Sequence, residues 1–420
     1  MPLQDRMRRA RHLVNKINSP FKGLPKEVSV LTAISFLVAV GFGLIIPAIP
    51  IFAKTFGVSN TLIGLIISSF AIMRFVSGLF SGKLVDRFGE RVVLGFGLFM
   101  VSIFTLLAGL AQSYEQLLIF RTAGGLGSSM FSVSAGALIL RVVADNQRGR
   151  AQSLYNGGFI AGGVAGPAFG GALIALSPRA PFFIYSGLLI AAGTVSMIYL
   201  HESRLGAKVE VKQEERALTI REALQIKPYL YSLFLAFLGS WILFGMRSSI
   251  LPLFVVEDLG ASASLVGLSF TIALIAQGSV MVRAGKYSDK NGRKPVILTG
   301  FSIVMLALAL LVLSTNTTIY LLAMIVMGLG AGFAASAGAI VGDVIKGKSG
   351  KVYAFWQMAG DAGMMVGPVL LGFISDHFSY RTAIAFSAGV FSLAIIAAIR
   401  IPETNTASLG ESRKPQLNEG

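Results

Sequence analysis

The chain has 420 residues, 54% of them hydrophobic and only 13% charged, with a mean hydropathy of +0.73; a soluble domain carries about 25% charged residues and a disordered chain is poor in apolar ones, so both classes are excluded. It has no cysteine, which excludes disulfides, Cys-ligated zinc, iron–sulfur clusters and thiol catalysis. The net charge of +16 admits nucleic acid, a membrane surface or a membrane topology as its cause, and the placement of the charges decides between them.

A basic segment, residues 1–27, comes first, with Arg6, Arg8, Arg9, Arg11, Lys16, Lys22 and Lys26. It is read either as a surface-lying amphipathic stretch or as an unstructured tail. Twelve apolar runs follow, each about 20 residues, the length that crosses ~30 Å of hydrocarbon at 1.5 Å per residue. Six lie in a first domain, residues 28–201: 28–53, 61–82, 91–111, 116–141, 152–176 and 181–201. A polar linker, 202–227, leads to a second domain, residues 228–401, with runs at 228–256, 263–285, 295–314, 318–343, 353–375 and 381–401, and a polar tail over 402–420. The runs are continuous rather than alternating, which predicts membrane helices and not barrel strands. The first run is too long for a signal-peptide core and lacks a small-residue cleavage site, so it is expected to remain as helix 1.

Of the 36 Lys and Arg residues, 29 fall in the tails and in the loops on one side of such a topology. Lys54, Arg179 and Arg381 fall on the other side, and Arg74, Arg121, Arg247 and Arg283 fall inside helices. The bias of basic residues toward the cytoplasm places both termini there, in a multi-pass protein of the plasma membrane. The charge is therefore a topology signal, and no nucleic-acid partner is expected.

The two halves repeat at an offset of about 200 residues, the mark of a parallel duplication that puts a substrate site near the midplane between halves. Gly82-Lys83-Leu84-Val85-Asp86-Arg87-Phe88-Gly89 returns as Gly285-Lys286-Tyr287-Ser288-Asp289-Lys290-Asn291-Gly292. Gly125-Leu126-Gly127 returns as Gly328-Leu329-Gly330, Ser134-Ala135-Gly136-Ala137 as Ser336-Ala337-Gly338-Ala339, and Gly166-Pro167 as Gly367-Pro368.

At these residues the chain resembles the major facilitator superfamily of secondary transporters, over roughly residues 28–401. Gly82, Asp86, Arg87, Gly89 and Arg91 match that superfamily's loop 2–3 pattern, with Glu90 in place of the usual basic residue; Gly285, Asp289, Gly292 and Arg293 carry the second copy. Gly82 and Gly285 permit close helix approach, and Asp86 and Asp289 suit a helix N-terminus. The resemblance implies that Asp86 caps helix 11 when the cytoplasmic side is closed; the alternative is a tight turn carrying topology charges. Glu90 implies a weaker or differently paired latch. Asp343, at the end of helix 10, is expected to meet Arg293 or Lys294.

Helix 5 carries Gly158, Gly162, Gly166, Pro167, Gly170 and Gly171. Glycines every four residues make a smooth face for backbone packing, and the proline bends the helix. This resembles the motif of proton-coupled antiporters, notably drug exporters of the twelve-helix branch; generic close packing is the alternative. Arg121, in Phe120-Arg121-Thr122-Ala123-Gly124-Gly125, resembles the embedded arginine linked to proton transfer, although Ala123 replaces the usual Gln. A snorkelling role is the alternative. Arg283 reads as a snorkelling end residue.

Asp361, in helix 11, is the acid well inside an apolar run, and proton coupling needs such a carboxylate. It and Arg74 of helix 2 both lie about eight residues from the cytoplasmic ends of their helices, at a depth of ~12 Å. The superfamily sets helices 2 and 11 face to face, so an Arg74–Asp361 pair is expected, either coupling or purely structural. Glu257 and Asp258 are expected to cap the outer end of helix 7. Arg247, beside Ser248 and Ser249, is placed to meet an anionic substrate or backbone carbonyls. Drug exporters of this family often carry an acid in or near helix 1, and its absence here argues against a simple cation exporter.

Gly342 to Ser349 fits the spacing of a nucleotide-binding loop, but it follows a membrane helix instead of a strand, so ATP is not expected. No cofactor or metal is implied; a proton gradient is the expected driving force. The reading is an all-α transporter of twelve helices in two repeats, a monomer in the bilayer, exporting small hydrophobic or amphipathic compounds by alternating access. Uptake or facilitated transport of a sugar, carboxylate or other metabolite is the alternative; of another class, a membrane enzyme lacks a catalytic constellation, and a lipid flippase would need a hydrophobic lateral opening.

Overall fold

A computed structural model describes residues 21–143, 147–200, 218–345 and 350–404. Most of the basic leader and the tail, much of the linker and the Lys346–Ser349 end of the loop-like motif therefore lie outside the described residues. Among the described residues, twelve helices are long and apolar enough to cross a membrane. In the first half they are α1 Lys26–Lys54, α2 Asn60–Phe88, α3 Glu90–Leu110, α4 Tyr114–Val142, α5 Arg148–Leu176 and α6 Ala180–Tyr199. In the second they are α7 Lys227–Asp258, α8 Ala263–Asn291, α9 Arg293–Leu313, α10 Thr317–Ala334 continued by Ala337–Ile345, α11 Gly350–His377 and α12 Tyr380–Arg400. A single turn, Ile220–Ala223, precedes α7 and is closed by a capping box between Thr219 and Glu222.

Each half buries its own apolar core, one built from α1–α6 with Leu253 and Met364 of the second half joining it, and one from α7–α12. Helices α2 and α8 run past the ends of their apolar stretches and stop at Gly89 and Gly292, with φ of 84° and 102°. Those left-handed values suit glycine, and they turn the chain straight into α3 and α9. Helix α1 breaks between Ile45 and Ala48, at Pro47. Helix α7 widens into π-helix over Trp241–Ile250 and Phe254–Asp258, around Pro252, which lacks the N–H that the regular ladder needs.

Because lipid is as apolar as a side chain, helices in a bilayer associate through close packing and hydrogen bonds. Ser102 meets Ser186 at 2.8 Å, tying α3 to α6, and Ser77 meets Ser129 at 2.7 Å, tying α2 to α4. Helix α5 lays its glycines on α1: a β-carbon at Gly158, Gly162, Gly166 or Gly170 would stand 2.5, 2.3, 2.4 or 2.6 Å from the carbonyl oxygen of Thr32, Phe36, Val40 or Leu44. Helix α11 lies on α7 in the same way, with Gly363 against Phe237 and Gly367 against Gly245.

Candidate transport site

The halves touch along two pairs of helices, α2 with α11 and α5 with α8. Both contacts are built from glycine and proline. A β-carbon at Gly64 would come 2.2 Å from the carbonyl oxygen of Pro368, and one at Gly267 would come 2.2 Å from that of Pro167. Gly171 meets Gly267, and Gly372 meets Asn60. These sit at the end of the molecule that carries the α1–α2, α7–α8 and α11–α12 turns. Asp376 of α11 completes the seal there. Its carboxylate accepts from the N–H groups of Asn60 and Thr61 at 2.7 and 2.8 Å and from the Thr61 hydroxyl at 2.6 Å, capping the exposed donors that begin α2. Nearby, Tyr380 donates to Glu257 at 2.6 Å and Lys54 pairs with Glu257 at 3.5 Å. Glu257 and Asp258 thus act as ion-pair partners and not as caps; Asp258 pairs with Arg381 at 2.9 Å. At the C-terminal end of a helix a carboxylate faces carbonyl oxygens and is drawn to cations instead.

The basic end is different. Asp86 is exposed and makes no hydrogen bond or ion pair among the described residues, so the expected cap on α11 is not formed here. Nothing lies within 4 Å of a β-carbon built at Gly82 or Gly285, so the expected close approach is not made either. Both outcomes have one cause: the halves are joined at the opposite end. Arg87 rests on the neighbouring Phe88 ring, 5.2 Å from its centroid.

Glu90 has found another partner. It is 1% exposed and pairs with Arg141 of α4 at 2.9 Å. Arg91 donates to the carbonyl of Met197 on α6. In the second copy Arg293 pairs with Asp343 of α10 at 3.1 Å and also with Asp289. The same bridge thus joins the third and fourth helices of each half, with its charges exchanged. Arg283 is exposed and donates to the carbonyl of Ser279 at 3.2 Å.

Between the halves lies a cavity of about 480 Å³. Its walls are apolar, with Phe42, Phe159, Phe244, Phe270 and Met327 among them; Arg247, Ser248 and Gln277 are the polar side chains. A recess of about 20 Å³ adjoins it, sharing Phe42, Ile46, Phe244 and Ser248, and is lined by Arg121. Arg121 is 4% exposed and lies 4.6 Å from the Phe70 ring centroid; Arg247 lies 5.1 Å from that of Phe270. Neither guanidinium makes a hydrogen bond or ion pair among the described residues, and both Nε atoms are buried without a partner. A charged side chain at the bilayer centre costs about 2.5–3.5 kcal/mol on insertion scales. Ring stacking returns about 0.5–2 kcal/mol, so the aromatic contacts alone leave these arginines under-compensated. The backbone carbonyls expected as an alternative partner for Arg247 are not engaged. Tyr185 and Tyr320 lie within electrostatic range of Arg121 and Arg247 respectively.

Arg74 and Asp361 are both half-buried, and Arg74 is the charge that acts on Asp361. They do not close into an ion pair: among the described residues Asp361 has no hydrogen bond or salt bridge. Equal depth on two facing helices leaves helix rotation and the gap between halves undetermined. Neither residue is among those lining the cavity.

A twelve-helix chain in two repeats, with a cleft between them and paired turns after the second and eighth helices, matches one family. Residues 31–256 and 233–418 fit the profile of the Major Facilitator Superfamily. The chain belongs to this superfamily. An MFS-type transporter of Methanocaldococcus jannaschii, MJ1560, is 26% identical over 378 residues, 89% of this chain and 97% of that protein. The quinolone resistance protein NorA of Staphylococcus aureus is 29% identical over 218 residues, a match that spans 50% of this chain and 55% of NorA. Among solved structures, a bacterial homologue of the human lysosomal transporter Spinster superposes with a TM-score of 0.69 at 16% identity, covering 92% of this chain and 96% of that one. The nucleoside transporter NupG gives 0.68 at 16% identity, covering 89% and 99%. At such identities the likeness is one of fold. The protein is thus a multi-pass membrane transporter of the major facilitator type. The seal made by Gly64, Gly267, Gly372 and Asp376 was not singled out from sequence, although Gly64 and Gly267 are related by the same repeat offset as the loop motifs.

Proposed function

We propose that this chain is a secondary active transporter working by alternating access, and that it exports small hydrophobic or amphipathic compounds in exchange for protons. The observation that carries the reading is the apolar cavity of about 480 Å³ between the two halves, the size range and lining of a small-molecule site. The similarity to a quinolone resistance protein supports export. Asp361 is the proton carrier in this reading, and Arg74 is the charge that adjusts its hold on the proton as the halves rock. The proton gradient is the driving force; no cofactor, ATP or nucleic acid takes part. The protein works as a monomer in the plasma membrane with both termini cytoplasmic, and the present conformation opens to the basic, cytoplasmic end.

The test uses proteoliposomes with an imposed pH gradient, screened with fluoroquinolones and apolar dyes. Wild type is expected to move at least one compound in proportion to the gradient. Asp361→Asn is expected to keep binding and downhill exchange while losing all gradient dependence. Gradient dependence that survives in Asp361→Asn removes the residue from coupling. Movement that ignores the gradient in wild type favours facilitated transport of a metabolite.

A further inference from the structure

We infer that the transported compound carries a carboxylate, held by Arg121 and Arg247, on an apolar body that fills the cavity. This rests on the transport of amphipathic compounds proposed above and narrows it to anionic ones.

Three observations converge. Arg121 is buried to 4% exposure, has no hydrogen-bond or ion-pair partner among the described residues, and lines the small recess. That recess, about 20 Å³, has room for a group the size of a water or a carboxylate oxygen and none for a ring. It opens beside the large apolar cavity that Arg247 lines, and the two share Phe42, Ile46, Phe244 and Ser248. A polar head in the recess and an apolar body in the cavity is the arrangement these walls accept.

The charge balance gives the sign. No acidic side chain lines either space, and the one acid deep in α11, Asp361, has Arg74 as its charged neighbour. A cationic compound would enter against two uncompensated guanidinium groups. A carboxylate would supply the acceptors that both lack, and arginine binds carboxylate through paired, charge-assisted hydrogen bonds. Arg121 lies over the Phe70 ring and Arg247 over the Phe270 ring, 4.6 and 5.1 Å from the centroids. Ser248, on the wall common to both spaces, already donates its hydroxyl proton to the carbonyl of Leu243 at 2.8 Å, which leaves the two arginines as the donors for a ligand.

Purified full-length protein in detergent, assayed by equilibrium dialysis at low ionic strength, decides the matter with one apolar body and three head groups: 2-naphthoate, 2-naphthamide and 2-naphthylmethylammonium. Naphthoate is expected to bind at least about tenfold more tightly than the amide and the ammonium compound. Arg121→Gln and Arg247→Gln are each expected to bring naphthoate to within about threefold of the amide. Equal or tighter binding of the amide or the ammonium compound by wild type overturns the inference, and needs no variant to be stable. A carboxylate preference that persists in both variants also overturns it. If neutral or cationic amphiphiles are nonetheless driven by the pH gradient in vesicles, the export reading stands while this inference falls. If none of the three binds and no amphiphile is transported, both fall. A decanoate arm separates the sources of the carboxylate: tighter binding of decanoate than naphthoate points to a fatty acid from the bilayer, and the reverse order to a soluble aromatic acid.

Discussion

Glu90 shows how much a single residue reveals, and where it stops. Its presence in a position that the superfamily pattern fills with a basic residue is plain in the sequence. Its partner is not: Arg141 stands in a different helix and reads as one more topology charge. Only the rotation of α3 against α4 brings the two to 2.9 Å, and the second half carries the same link as Arg293 with Asp343. The carboxylate of Glu90 is buried and Arg141 is partly exposed. Glu90→Ala is therefore expected to destabilise the protein by about 1–3 kcal/mol, below the range for a fully buried pair because Arg141 can reach water. The check is the midpoint of thermal unfolding in detergent. The double change Glu90→Arg with Arg141→Glu is expected to restore most of that midpoint, since the second half already uses this polarity. Arg74 and Asp361 make a parallel case. Counting residues along two helices was enough to set them at one depth, but counting could not close the distance between them.

Helix α5 was the most legible element. A glycine every fourth residue predicts a bare stripe, and the stripe lies on α1 with backbone facing backbone. The spacing also predicts which glycines matter. At Gly158 a β-carbon would stand 2.5 Å from the carbonyl oxygen of Thr32, whereas at Gly157 it would meet nothing within 4 Å. Gly158→Ala must push α1 and α5 apart, at about 1–3 kcal/mol. Gly157→Ala is expected to be neutral or to stabilise by up to about 1 kcal/mol through helix propensity. Thermal unfolding of the two variants side by side checks the contrast, and equal midpoints would show that the α1–α5 packing is looser than described. Helix α7 was far less legible. Its π-helical turns set the facing of Arg247, yet apolar periodicity carries no mark of them beyond Pro252.

At the scale of the whole molecule, the repeat converts local motifs into a machine with two ends. Gly64 against Pro368 and Gly267 against Pro167 are one contact made twice, and Asp376 on the start of α2 closes the same end. At the other end Asp86 is exposed and has no partner among the described residues. Opening toward the side of the α1–α2 turn must break the Asp376 cap, so Asp376→Asn, which weakens a charge-assisted cap, is expected to raise the outward-open population. The absence of native cysteine makes this measurable. With Gln277→Cys on the cavity wall, a membrane-impermeant thiol reagent is expected to react from the side of the termini. Adding Asp376→Asn is expected to increase reaction from the opposite side by about fivefold to tenfold, corresponding to about 1–1.4 kcal/mol. No change would show that the cap does not hold the closed end. Reaction of the parent from the wrong side would reverse the conformation assigned here.

The sequence by itself determined the class of the protein, its twelve helices, its duplication and the bias of its charges. Each of these follows from local length, apolarity or spacing, and a bilayer leaves few ways to satisfy a backbone. The tertiary structure decided which end is sealed, that Glu90 and Arg141 are partners, and that Arg121 and Arg247 line adjoining spaces with no acid between them. Those facts depend on helix rotation and on the contact between halves, which act across about 50 to 300 residues of chain and leave no periodic trace along it. The excess of positive charge thus falls in two places: most of it at the helix ends, and a small remainder as Arg121 and Arg247 beside spaces that no acidic side chain lines.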